Sequence, residues 1–130
     1  MKLLIIDDDM RNIFALTAVL KAKSFQTVSA QTVQEGISLL RSDKSISALL
    51  LDIMMPETDG FEAIRMIRLD DEISDLPIIA VTAKAMDGDR EKCIAAGANG
   101  YVSKPVDINK LLAVLSLHVN TQLTPGAERK

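Results

Sequence analysis

Short apolar runs recur along the chain at Leu3–Ile6, Thr27–Ala30, Ala48–Leu51, Ile78–Val81 and Tyr101–Ser103. They are near-continuous rather than alternating, the pattern of strands covered on both faces in a parallel sheet. Between them, apolar residues return at helical spacing. Residues 10–23 carry Met10, Ile13, Phe14, Thr17 and Leu20 as one face, with Asp9 as its cap. Residues 33–42 follow Thr32, which with Glu35 has the spacing of a capping box. Residues 60–69 repeat Phe61, Ile64 and Ile67, and residues 87–96 end at Gly97, a residue suited to stopping a helix. Residues 108–119 line up Ile108, Leu111, Leu112, Leu115 and Val119 behind Asp107.

Strand and helix therefore alternate five times. Right-handed crossovers turn this rhythm into a parallel sheet with helices on both faces. The expected fold is α/β, a (βα)5 flavodoxin-like three-layer sandwich with strand order 2-1-3-4-5. One domain is expected over residues 1–119. Residues 120–130, with Thr124-Pro125-Gly126 and no apolar period, read as a tail or a truncated linker.

Composition narrows the function. The 130 residues suit a single domain, and 48% apolar with 25% charged residues is the mix of a soluble globule. No apolar run approaches the length that crosses a bilayer, and no membrane contact is expected. The net charge is −3, shared as −2 in residues 1–60 and −1 in residues 61–130. Neither half is basic and only Phe14, Phe25, Phe61 and Tyr101 are aromatic, which argues against direct nucleic-acid binding. A single cysteine, Cys93, excludes an internal disulfide and a thiolate zinc cluster; it reads as a packing residue. His118 is the sole histidine. A reducing, cytoplasmic setting is the expectation.

In an open α/β sheet, ligands bind beyond the carboxyl ends of the strands, where the strand order reverses. Strand 1 ends in Asp7-Asp8-Asp9, strand 3 in Asp52, strand 4 in Thr82 and strand 5 in Ser103-Lys104-Pro105. Taken alone, each has an ordinary reading: a cap, a turn residue, a strand former, a surface charge. Taken together, the carboxylates would repel one another unless a cation joined them. Mg²⁺ favours such oxygen donors, and Lys104 adds a point charge for a phosphoryl group. A carboxylate placed between them can attack phosphorus and form an acyl phosphate.

The segments LLIIDDDMRNIFAL, LLLDIMMPETDGFEAIRMIR, PIIAVTAKA and REKCIAAGANGYVSKPVD span residues 2 to about 119. In order and spacing they resemble the receiver domain of two-component response regulators. Within that family they look most like receivers of hybrid sensor histidine kinases. The resemblance implies a phosphorelay switch that catalyses its own phosphorylation and dephosphorylation, with Asp52 as phosphoacceptor. It implies Mg²⁺ held by Asp7, Asp8, Asp52 and the backbone carbonyl of Met54. Lys104 would contact a phosphoryl oxygen, and Lys104–Pro105 would be a cis peptide. Thr82 and Tyr101 would form a switch that alters the surface of helix 4, strand 5 and helix 5. That surface offers Asp89, Arg90, Lys92, Tyr101 and Lys110.

The implied partner is a histidine kinase or a histidine phosphotransfer protein, docking on Met10, Asn12 and Ile13; the alternative is that Ile13 and Phe14 are both core and only Met10 and Asn12 are exposed. Met54 and Lys84 border the expected phosphoryl site and fit a slowly hydrolysed phosphoaspartate. A stand-alone regulator and the receiver of a hybrid kinase fit the same residues, and a phosphorylation-dependent dimer stays open. Two rivals use the same fold elements. A haloacid-dehalogenase-like phosphatase would use Asp7 as nucleophile, but Met10 stands where a small residue is usual and only Asp107 follows Lys104. A flavin-binding module would need a Ser/Thr/Gly-rich loop where the acids stand.

Overall fold

The computed structural model describes residues 1–56, 59–83 and 88–123, with side chains through Val119. Five strands alternate with five helices: β1 (Lys2–Ile6), α1 (Met10–Ala22), β2 (Gln26–Ala30), α2 (Val33–Ser42), β3 (Ile46–Asp52), α3 (Gly60–Arg68), β4 (Ile78–Thr82), α4 (Asp89–Ala96), β5 (Gly100–Ser103) and α5 (Ile108–Leu123). The strands form one parallel sheet in the order β2-β1-β3-β4-β5. This is the expected sandwich, and each expected strand lies inside an observed one.

Alternation along the strands divides the core in two. Leu3, Ile5, Ala48, Leu50, Ile79, Val81 and Val102 face α1 and α5. Leu4, Ile6, Leu49, Leu51, Ile78 and Ala80 face α2, α3 and α4. The three central strands β1, β3 and β4 are buried on both faces, which is why they read as unbroken apolar runs. The edge strand β2 differs, with Gln26 and Ser29 exposed. Gly36 lets α2 approach β1 closely, since a Cβ there would collide with the Ile6 side chain.

Local chemistry sets the helix ends. The Asp9 carboxylate accepts from the Arg11 amide, and the Thr32 hydroxyl accepts from the Glu35 amide at 3.1 Å. Glu35 completes its side of the box one residue early, accepting from the Gln31 amide at 3.1 Å. Asp107 accepts from the Asn109 amide at 2.8 Å. Helix α5 extends to Leu123 rather than 119, but its backbone leaves helical angles at Val119 (φ −133°, ψ 29°).

The face of α1 needs a correction. Ile13 and Leu20 are buried, whereas Phe14 is 77% exposed and Met10 56% exposed. The core stripe runs through Ile13, Leu16 and Leu20. At about 100° per residue, Phe14 turns a quarter-circle away from it. Cys93 packs in the core as expected, and burial pushes its thiol up to about 11. At pH 8 only about one thiol in a thousand is then ionised. A disulfide reagent is expected to react with Cys93 in the folded protein at least ~100-fold more slowly than in guanidinium; equal rates would contradict its burial.

Candidate functional site

The carboxyl ends of β1, β3, β4 and β5 meet at one edge of the sheet. Asp7 follows β1 and is fixed by its amide, which donates to the Ala30 carbonyl of β2 at 3.1 Å. Asp52 ends β3 opposite Val81, and the next amide, of Ile53, donates to the Val81 carbonyl at 3.0 Å. Lys104 is held beside Thr82, since its amide donates to the Thr82 carbonyl at 2.7 Å. Lys104–Pro105 is a cis peptide. Backbone hydrogen bonding between strand ends thus brings together four segments far apart in sequence.

Asp7, Asp52 and Thr82 are the polar residues buried among those described, at 2%, 5% and 0% exposure. The Lys104 ammonium bridges the two carboxylates, donating to Asp7 Oδ2 and to Asp52 Oδ2 at 3.2 Å each. The other oxygens are also engaged. Asp7 Oδ1 accepts from the Asp9 amide and Asp52 Oδ1 from the Met54 amide, both at 2.9 Å. Burial pushes the Asp52 carboxyl above its ordinary range; the Met54 amide opposes this, Asp7 adds to it, and Lys104 opposes it. Burial works against the Lys104 charge too, but Asp52 and Asp7 outweigh it and raise its pKa.

Asp8 stays exposed beside this pair. One carboxylate oxygen from each of Asp7, Asp8 and Asp52 lies within 4.8 Å of the other two. Three hard oxygen donors in that space fit a divalent cation of the magnesium or calcium type. Met54 stands at the rim with its amide on Asp52, and its side chain is exposed. Lys84 lies outside the described residues.

Thr82 and Tyr101 occupy adjacent strands. Tyr101 pairs in register with Ala80, and Thr82 is two residues further along β4, hence on the same sheet face. Tyr101 is half-buried against the core shared by α2, α3 and α4. A movement of Thr82 toward Asp52 would therefore be felt diagonally at Tyr101.

The expected docking residues separate. Met10 is exposed and Asn12 half-buried at the edge of a groove, but Ile13 is in the core at 5% exposure and is not available to a partner. Phe14 takes its place on the surface. The groove, about 280 Å³, is lined by Asn12, Leu16, Val19, Lys104, Pro105 and Ile108 among others. Leu16 and Val19, which form its apolar side, lie off the stripe Met10, Ile13, Phe14, Thr17 and Leu20 expected for this helix, and their i, i+3 spacing is the signal that marks them.

Comparison with known proteins agrees with this geometry. A profile described as the response regulator receiver domain matches residues 3–116. Protein PilH of Pseudomonas aeruginosa is 36% identical, over 88% of this chain and 94% of that protein. Histidine kinase 3 of Arabidopsis thaliana is 33% identical over 92% of this chain, which spans 14% of that kinase. The receiver domain of a sensor histidine kinase from Pseudomonas aeruginosa, solved with a magnesium ion in its active site cleft, superposes with a TM-score of 0.81. It is 29% identical and covers 92% of this chain and 97% of that one. With its sheet order, its acidic strand ends and nearly its whole length matched, the chain belongs to the receiver family of two-component response regulators, phosphoryl-accepting signalling switches.

Proposed function

We propose that Asp52 is the phosphoacceptor of this switch and that a phosphohistidine is its donor. The observation that carries the proposal is the cluster itself: Asp52 buried at a strand end, joined to Asp7 by one ammonium, with Asp8 and Thr82 at its border. A bound Mg²⁺ would be held by Asp7, Asp8, Asp52 and the Met54 carbonyl, and would supply positive charge to the phosphoryl oxygens. The magnesium ion in the matched receiver structure supports that choice of cation.

The chain's own residues do the rest. An Asp52 carboxylate oxygen attacks phosphorus, an O–P bond forms, and the P–N bond to the donor imidazole breaks. Lys104 donates to an incoming phosphoryl oxygen, and the Thr82 hydroxyl donates to another. Both act mainly by position and charge, which is what phosphoryl transfer needs. The new charge draws Thr82 in and vacates space on the Tyr101 side of the sheet. Adding Mg²⁺ with acetyl phosphate is expected to add one phosphoryl group per chain, and chelation to abolish the uptake. Uptake that ignores chelation would contradict the proposed metal.

The donor's docking surface in this proposal is the outer face of α1 with the groove beside it. Met10, Asn12 and Phe14 stand there, and the groove runs directly to Lys104. Helices α1 and α5 carry Arg11, Lys21 and Lys110 but no carboxylate. Phe14→Ala and Met10→Asp are each expected to slow transfer from the histidine donor by about tenfold, the effect of losing an interface anchor. Uptake from acetyl phosphate should not change. Equal slowing of both reactions would place the defect in the chemistry rather than in docking.

A further inference from the structure

Helix α4 is held unequally at its two ends. Its first turn, Asp89–Lys92, buries no side chain, and Gly88 before it has no side chain to cap the amides. The second half holds the buried Cys93 and Ala96, and buried Ala98 follows. Gly97 closes that end at φ +123°, and the Ala98 amide donates back to the Cys93 carbonyl at 3.0 Å.

Arg68, the last residue of α3, fastens the same end. Its Nε donates to the Gly97 carbonyl at 2.8 Å and its Nη2 to Asn99 Oδ1 at 2.7 Å. Its Nη1 donates to the Ser74 carbonyl at 2.9 Å and the Leu76 carbonyl at 2.6 Å. Asn99 Oδ1 also accepts from the Ile78 amide at 2.9 Å, and the Asn99 amide donates to the Ile78 carbonyl at 2.8 Å. One planar guanidinium thus ties together α3, the 74–76 turn, the start of β4 and the end of α4. A lysine could not span these acceptors. A Cβ on residue 97 would press within 2.7 Å of the Arg68 stem, so the glycine and the arginine fit each other.

We infer that Arg68 is a positioning residue that pins the carboxyl end of α4, so that phosphorylation displaces residues 88–92 about a hinge at Cys93. The inference rests on the switch reading above. It adds that the change stops halfway along the helix. Segments with few buried contacts open at low cost, and pinned, packed ones do not. Asn99 is exposed, and its part in the pin is the shared Oδ1 acceptor.

Two native probes separate the outcomes. Cys93 is the sole cysteine and reports opening of the pinned half through its rate with a disulfide reagent. Tyr101 is the sole tyrosine in a chain without tryptophan, and its emission reports the switch. With Mg²⁺ and beryllofluoride as the phosphoryl mimic, wild-type Tyr101 emission should change while the Cys93 rate moves by less than about twofold. Asn99→Asp keeps the acceptor and should behave as wild type. In Asn99→Leu and Arg68→Met the mimic should speed Cys93 modification by about tenfold or more. If Arg68→Met does not fold, the Asn99 pair carries the comparison. A rise of about tenfold in wild type, or folded pin variants with Cys93 as slow as wild type, would overturn the inference. Tyr101 emission indifferent to the mimic would overturn the switch reading, and the inference with it.

Discussion

Asp52→Asn is expected to lose uptake of a phosphoryl group from acetyl phosphate by a factor on the order of 10³ or more, because an amide cannot supply the attacking oxygen. The same change should make the metal-free protein more stable. Burial raises the Asp52 pKa, so the folded state disfavours its ionised form. The sign follows from linkage: a carboxylate raised on folding weakens the fold at pH values above its ordinary range. Removing that charge should raise the melting temperature in chelator. Added Mg²⁺ should then stabilise the variant less than the wild type, since one oxygen ligand is gone. A variant that is less stable in chelator would mean that Asp52 is held chiefly by favourable contacts rather than stored as an activated group.

Lys104→Met should do the opposite. The ammonium is 3.2 Å from both Asp7 and Asp52, and these carboxylates are nearly inaccessible to water. Methionine keeps the stem and removes the charge. Two buried carboxylates then face each other without a cation, a change that costs about 3 kcal/mol when one partner of a buried pair is lost. The melting temperature in chelator should fall by roughly 10 °C. Mg²⁺ should recover much of that loss, because a cation at the cluster replaces the missing charge. Combining Lys104→Met with Asp52→Asn should be milder than Lys104→Met alone, since the repulsion it creates needs both carboxylates. An unchanged melting curve would make Lys104 an ordinary solvated charge.

Much of this fold and site is legible in the sequence. The unbroken runs at β1, β3 and β4 reflect burial on both faces, which favours apolar residues at consecutive positions rather than alternate ones. Asp9, Thr32 and Asp107 announced their helices because capping is local chemistry between neighbours. The acids at Asp7, Asp8 and Asp52 could be placed at one edge because parallel strands end on the same side.

Other features had no local signature. Ile13 and Phe14 are adjacent and both apolar, and the rotation of α1 about its own axis decides which one faces inward. Arg68 looks in sequence like any helix-terminal cation. Its four acceptors come from residues 6 to 31 positions away and meet only in the folded chain. The bridge from Lys104 to Asp7 and Asp52 likewise joins residues 97 and 52 positions apart.

The local hydrogen bonding of Asp7 and Asp52 is nearly symmetric. Each takes a backbone amide on Oδ1 and the Lys104 ammonium on Oδ2. Position separates them, with Asp52 on the central strand between Asp7 and Thr82. The most direct test is therefore chemical. The protein is incubated with Mg²⁺ and acetyl phosphate, the acyl phosphate is reduced with borohydride, and the reduced residue is located by peptide mass spectrometry. Reduction of Asp52 to homoserine, absent when Mg²⁺ is chelated, is the predicted result. Homoserine in place of Asp7, or none at either position, would contradict the assignment of Asp52 as phosphoacceptor.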